Sequence, residues 1–168
     1  MALKRSSEII AIGFSTVESA ANTFTQTSID LQLNPLDNEV FVVSAIDLDP
    51  IAPDCVANTS TQVFTSLTTT SQTSVANLNR SSCLANVALD IRQDGAAPLA
   101  VGFSRSSLDS PPANLDYIGI ISTNDFFVQI KGTGNLVAKN VFGKMWGYRA
   151  KADAATYAAL VQSEVLSS

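Results

Sequence analysis

Three aspartates cluster in a short stretch of the chain where a predicted strand ends. Asp47 and Asp49 are two residues apart and therefore share one strand face, and Asp54 follows after two prolines. Carboxylate oxygens gathered at such a loop end are the ligands that Ca²⁺ prefers. A solvated strand end with turn residues has the same composition, and the sequence favours that interpretation. Asp47, Asp49 and Asp54 are thus a weak candidate calcium site, and no metal is expected to be required.

A second group combines basic and aromatic side chains. Residues 131–151 hold five basic residues and no acidic one. Aromatic residues interleaved with basic ones are typical of strands that contact nucleic acid. Trp146 and Tyr148 share a strand face with Lys144, however, and this favours packing in the core or against another subunit. The candidates for subunit or nucleic-acid contact are Lys139, Lys144, Trp146, Tyr148, Arg149 and Lys151.

The residues that usually carry catalysis are scarce. The chain has 20 serines and 14 threonines but no histidine, so a hydroxyl nucleophile would need a lysine, an aspartate or an amino terminus as its base. No spacing indicates such a pair. A hydrolase with two carboxylates from distant strands is compatible with the composition. We nevertheless expect a protein that is not an enzyme.

The two cysteines, Cys55 and Cys83, leave two alternatives open. They can form a disulfide, or they can be two free thiols of which one or both are buried as small apolar side chains. The sequence favours the free thiols without excluding the bridge.

Composition indicates one domain with a weakly charged surface. The 168 residues are 46% hydrophobic and only 15% charged, against about 25% charged in average proteins. Serine and threonine therefore cover much of the surface, and few ions need to be desolvated when two such subunits meet. Residues 1–60 are acidic with a net charge of −6, opposite in sign to residues 131–151. These properties predict self-association.

The chain termini carry few targeting signals. The first ten residues lack the apolar run of an ordinary signal peptide, and no segment is long and apolar enough to span a bilayer. Basic residues near the start are limited to Lys4 and Arg5, so we expect any contact with nucleic acid to be weak or indirect.

Short alternating runs separated by Pro, Gly, Asn and Asp predict an all-β fold. We expect strands over residues 8–14, 23–33, 39–48, 61–69, 84–92, 99–104, 115–122, 126–131 and 141–150. The run at 39–48 is apolar on both faces, which predicts a central strand. The three residues between the strands at 115–122 and 126–131 predict a hairpin.

The remaining segments predict two loops and a helix. Residues 70–82 and 106–114 are polar and are expected to be outward-facing surface loops. After Lys151 the chain is rich in helix formers, with Asp153 as the expected N-cap and an apolar stripe for docking. We divide the single domain into an N-terminal arm or first strand (1–22), a β-sandwich (23–151) and a helical tail (152–168).

Eight or nine short strands without a helical core predict an antiparallel two-sheet sandwich of the jelly-roll type. The course of the chain, especially LDYIGIISTNDFFVQIKG followed by VFGKMWGYRAKAD, resembles the single jelly-roll capsid (coat) proteins of small tailless viruses that infect microbes. This resemblance covers most of the chain and rests on pattern and composition.

The resemblance implies a viral structural protein of the virion, made in the host cytoplasm. It would be a capsid subunit that self-assembles in many copies without a required cofactor, with other capsid proteins as further partners. The alternative is a carbohydrate-binding or adhesin-type β-sandwich in which Trp146 or Tyr148 forms an aromatic platform.

Overall fold

A computed structural model describes residues 3–95, 99–107 and 115–166. These residues form two five-stranded antiparallel sheets and one C-terminal helix. The strands are β1 (Leu3–Arg5), β2 (Ile10–Val17), β3 (Thr25–Asp30), β4 (Glu39–Pro50), β5 (Thr61–Thr68), β6 (Cys83–Gln93), β7 (Ala100–Ser106), β8 (Gly119–Ile121), β9 (Asp125–Thr133) and β10 (Asn140–Ala152). A 3₁₀ turn covers Pro35–Asp37, and helix α1 covers Ala154–Leu166.

The strand order identifies the sandwich as a jelly roll. Sheet A has the order β2-β10-β4-β8, with β1 continuing the β2 edge along the end of β10. Sheet B has the order β3-β9-β5-β6-β7. The pairs β2–β10, β3–β9, β4–β8 and β5–β6 are nested within one another. A long antiparallel hairpin whose strands pair in this nested order and wrap into two sheets is a jelly roll, so the predicted fold class is confirmed.

The main core lies between the two sheets and follows the period of two that the strands display. In β5, for example, Val63, Thr65 and Leu67 are all buried. The core side chains include Phe14, Leu31, Phe41, Ile46, Leu67, Phe126, Ile130 and Met145.

Strand β4 changes its inward-facing positions halfway along its length. Trp146 of β10 pairs with Ala45, but the next residue of β10 pairs with Val43, so Ser44 is an extra, bulged residue. Phe41 therefore faces the core on one side of the bulge and Ile46 on the other. This bulge is one reason why the sequence of β4 has no simple alternation.

Helix α1 covers the other face of β4 and explains why that strand is apolar on both sides. Val40, Val42 and Ala150 form a second buried cluster on the outer face of sheet A, against which Tyr157 and Leu160 of α1 pack. The Asp153 carboxylate accepts a hydrogen bond from the Thr156 N–H at 2.7 Å, as an N-cap does. The predicted helix, its cap and its docking are confirmed.

The hairpin predicted between residues 115–122 and 126–131 is wrong. The first of these segments contributes only the short strand β8, which pairs with β4 in sheet A, whereas β9 pairs with β3 and β5 in sheet B. The chain therefore crosses from one sheet to the other at Thr123 and Asn124. Alternation and turn residues are the same for a hairpin and for such a crossing, so the local sequence does not distinguish them.

The loop at 70–82 is less exposed than expected, because it folds over the outer face of sheet B. Gln72, Ala76 and Ser82 are buried. Ser66 Oγ accepts a hydrogen bond from the Ala76 N–H and donates one to the side chain of Gln129. Most of the second predicted loop, 106–114, lies outside the described residues.

The described helix is too short to cross a bilayer, in agreement with the prediction that the chain has no membrane-spanning helix.

Candidate interaction surface

The open part of the outer face of sheet A is the main candidate surface, and β10 runs through its centre. Phe142, Lys144 and Trp146 point outward from β10, and Phe142 is 47% exposed. Their neighbours on β2 are Ser15, Gly13 and Ala11, and their neighbours on β4 are Asp49, Asp47 and Ala45. We call these nine residues the outer A face. It has small side chains along one strand, two aromatic rings in the middle and two carboxylates along the third strand.

The charges on the outer A face are arranged in opposition. Lys144 lies directly across from Asp47 in the β10–β4 ladder. The Lys144 ammonium is also 5.9 Å from the centre of the Trp146 ring, within cation–π range. The one cation of this face thus lies beside an indole and across the ladder from one of its two carboxylates.

Tyr148 lies beyond the open face and is partly covered. The Arg5 guanidinium stacks on its ring at 4.6 Å, and the ring belongs to the cluster under α1. Of the two residues predicted to form an aromatic platform, Trp146 lies on the open face and Tyr148 does not.

Lys139 is buried in an ion pair, which the sequence did not indicate. Its side chain is 6% exposed, and its ammonium lies 2.6 Å from the Asp54 carboxylate. The backbone N–H of Lys139 donates to Glu18, whose other carboxylate oxygen accepts from the N–H groups of Thr23 and Gly132. Lys139 is therefore engaged inside the fold and is not presented to an outside partner.

Asp54 is the centre of a polar cluster that joins the loop after β4 to the loop after β9. Its carboxylate accepts hydrogen bonds from Lys139 and from the backbone N–H groups of Leu136 and Val137. The bond from Lys139, followed by that from Leu136, lowers the pKa of Asp54. Asn135 completes the cluster by accepting from the Asp54 N–H. Sequence reasoning missed Glu18 and Asn135, because their partners are far away along the chain.

Arg149 and Lys151 also have partners within the chain. The Arg149 guanidinium donates to the backbone oxygens of Leu31 and Gln32 and pairs with Glu39 at 3.0 Å. Lys151 lies 3.8 Å from Asp37, and both side chains are half exposed. Of the six candidates for subunit or nucleic-acid contact, Lys144 and Trp146 are thus the pair on the open face.

The three calcium candidates do not come together around one point. Asp47 and Asp49 lie on the outer A face, whereas the Asp54 carboxylate is held by Lys139. Within residues 3–95, 99–107 and 115–166 there is no group of three acidic, cysteine or histidine side chains that could hold a metal ion.

The cysteines are separate, free thiols. Cys55 is exposed and Cys83 is buried. Burial raises the pKa of the Cys83 thiol to about 11. Of the two alternatives left open by the sequence, the structure has the free thiols.

Comparison with known proteins gives no match to the chain, whether against family models, curated proteins or solved structures.

Proposed function

We propose that this chain is a virion structural protein, a capsid subunit that self-assembles into a shell and does not act as a catalyst. The observation that carries the proposal is the nested strand pairing of a jelly roll, together with the resemblance of the sequence to single jelly-roll coat proteins. A fold alone does not determine function, so the surface must also suit assembly.

The outer A face has the properties of a subunit contact. Ala11, Gly13 and Ser15 make one side of it flat, so the backbone of a neighbour can approach closely. Phe142 and Trp146 provide apolar area at its centre, as aromatic residues do in protein interfaces. Lys144 lies across from Asp47 in the β10–β4 ladder, so a cation and a carboxylate of this face can be buried side by side.

The same features support a shell with little direct contact to the genome. Lys139 and Arg149 are used within the fold, and most of the basic charge of residues 131–151 is therefore compensated locally. A protein that packages nucleic acid tightly would present those cations to phosphates. We propose that the chain is located in the capsid, after synthesis in the host cytoplasm, with other copies of itself as its principal partners.

The test is assembly of the purified full chain, examined by light scattering and negative-stain electron microscopy. We expect particles of uniform diameter. Phe142→Lys replaces an aromatic ring of the outer A face by a hydrated ammonium, so the apolar contact at this position is lost and the particle yield should fall at least tenfold. The matched control is Leu36→Lys, because Leu36 is 92% exposed on the 3₁₀ turn and outside this face. Its yield should equal that of the wild type.

Two results would contradict the proposal. One is a chain that remains monomeric at high concentration across pH and salt. The other is a monomer that binds glycans on an array and loses that binding in Trp146→Ala, which is the behaviour of a carbohydrate-binding sandwich.

A further inference from the structure

Strand β7 is an edge strand that projects from the sandwich. It pairs with β6 on one side, and no strand in the described parts of the chain pairs with its other side. Six of its seven residues are exposed, so it lies beyond the cover of the facing sheet. Val101 and Phe103 are each 54% exposed although they are large and apolar.

Natural proteins usually protect such an edge, because its unpaired N–H and C=O groups are a template for another strand. The common devices are proline, lysine, a bulge or a very short strand. The sequence of β7, AVGFSRS, has neither proline nor lysine, its one charged residue, Arg105, lies next to its end, and its register with β6 is continuous. The other edges differ: β8 has three residues, β3 ends in Asp30, and β2 lies beside β3 of the facing sheet.

The hydrogen bonds at the two ends of β7 determine which backbone groups point to the open edge. Ser107 N–H donates to Asn86, and Leu99 C=O accepts from Asp94, both across the β6 side. Because every second residue of an antiparallel strand bonds to the same neighbour, the odd-numbered residues face β6. The N–H and C=O groups of Ala100, Gly102 and Ser104 therefore face outward.

This pattern is self-complementary about Gly102. If a second β7 runs antiparallel with Gly102 opposite Gly102, Ala100 lies opposite Ser104 and the outward groups of both strands meet. Val101 then lies opposite Phe103 of the second copy, and Phe103 opposite its Val101. An aromatic residue opposite a β-branched one is a favourable cross-strand pair.

The charges near β7 also permit this arrangement. Asp90 lies 3.8 Å from Arg92 and 4.0 Å from Arg105, so the carboxylate is shared by two cations of its own chain. In the register centred on Gly102, Arg105 lies opposite Leu99 of the second copy. The two Arg105 residues are then six positions apart along the ladder, or about 20 Å. Like charges do not meet.

We propose that β7 pairs antiparallel with β7 of a second copy about a two-fold axis at Gly102, joining two B sheets into one continuous sheet. This inference deepens the proposed function, on which it rests, by naming one of the subunit contacts. It commits to a second copy of the chain because, in the register centred on Gly102, the outward hydrogen-bonding groups of the two strands meet and both Val101 and Phe103 have an apolar partner.

Cysteine cross-linking tests the register. In a Cys55→Ser background, Gly102→Cys places two thiols on a hydrogen-bonded pair whose Cα atoms are about 5.5 Å apart, within disulfide range. A Cβ on Gly102 has only the Asp90 carbonyl oxygen within 4 Å, at 4.0 Å, so the substitution fits. The matched control is Ser104→Cys, whose two copies would be about 14 Å apart. Under mild oxidation we expect at least ten times more cross-linked dimer for Gly102→Cys.

A second design is included because strain in the Gly102→Cys disulfide would lower the yield of cross-linked dimer. Val101→Cys combined with Phe103→Cys places thiols on directly opposite, non-hydrogen-bonded positions, where the Cα atoms are about 4.5 Å apart. Dimer yields for both designs no greater than that of Ser104→Cys would overturn the proposed pairing.

The results separate this inference from the proposed function. Particles in the electron microscope without the specific cross-link would leave the capsid proposal intact and remove the β7 contact. A specific cross-link in a chain that forms dimers but no particles would support the β7 contact and contradict the capsid proposal.

Discussion

Glu164 is the main polar attachment between helix α1 and the sandwich. Its carboxylate accepts hydrogen bonds from the backbone N–H and the hydroxyl of Ser122, each at 2.7 Å, and from the Thr123 hydroxyl. Both Glu164 and Ser122 are buried. A 13-residue helix is marginal on its own, so this attachment and the apolar contacts of Tyr157 must hold it in place.

We predict that Glu164→Ala destabilises the fold by about 2–3 kcal/mol. Leaving the buried Ser122 N–H without an acceptor costs about 1–3 kcal/mol. Loss of one buried methylene adds about 0.8 kcal/mol. The variant no longer has to bury a carboxylate, which offsets part of this loss. The total is therefore smaller than the loss of three separate charged hydrogen bonds. Glu164→Gln keeps the shape and one acceptor oxygen and should cost about 1 kcal/mol, since a neutral hydrogen bond is the weaker one.

The assay is urea denaturation at concentrations where the chain is monomeric, combined with limited proteolysis of the C-terminal helix. Gln162→Ala is the control, because Gln162 is an exposed residue of the same helix and should change the free energy of unfolding by less than about 0.5 kcal/mol. If Glu164→Ala is as stable as this control and its helix is no more sensitive to protease, the hydrogen bonds of Glu164 do not hold α1 on the sandwich.

Three further predictions follow from individual contacts. The hydrogen bond from Lys139 lowers the pKa of Asp54, so the contribution of this carboxylate to stability is complete above the usual aspartate pKa and is lost as the pH falls below about 4. In pH-dependent melting, Asp54→Asn should therefore lose less stability at acid pH than the wild type, and an unchanged loss would contradict this. Burial raises the pKa of Cys83 to about 11, so a thiol reagent at pH 8 should label Cys55 in the native chain and reach Cys83 only after unfolding. Two thiols that react equally fast in the native chain would disprove this. Gly147→Ala places a Cβ 2.3 Å from a backbone oxygen and should lower the free energy of unfolding by about 3 kcal/mol or more. The Cβ of Gly13→Ala meets nothing within 4 Å, so this variant should be neutral or slightly stabilising in thermal melts. Similar melting temperatures for the two variants would contradict the close packing at Gly147.

The strands were predictable where one face of a sheet is wet or where apolar residues alternate strictly. Val63 and Leu67 of β5 are examples, because side chains on a strand alternate between core and outside. The helix after Lys151 was predictable from its composition and from Asp153. These signals are local, so a single sequence contains them.

The bulge and the sheet crossing were not predictable, because they depend on which strands become neighbours. The extra residue Ser44 is defined only by the pairing of β4 with β10. The crossing at Thr123 is defined only by the separate partners of β8 and β9. A period of two is the same whether the chain returns to its own sheet or enters the other one.

The candidate surface could be predicted only in part, for the same reason. The shared strand face of Lys144 and Trp146 follows from their even spacing. The ion pair of Lys139 with Asp54 joins residues 85 positions apart and has no local signal. The exposed strand β7 was predicted as a strand, but its position at the edge follows from the order of sheet B.

Electron microscopy of the purified full chain under assembly conditions, beside Phe142→Lys and Leu36→Lys, decides whether this chain is a capsid subunit. We expect closed particles of uniform size for the wild type and for Leu36→Lys, and an at least tenfold lower particle yield for Phe142→Lys. A wild-type chain that stays monomeric at every concentration, pH and salt would contradict it.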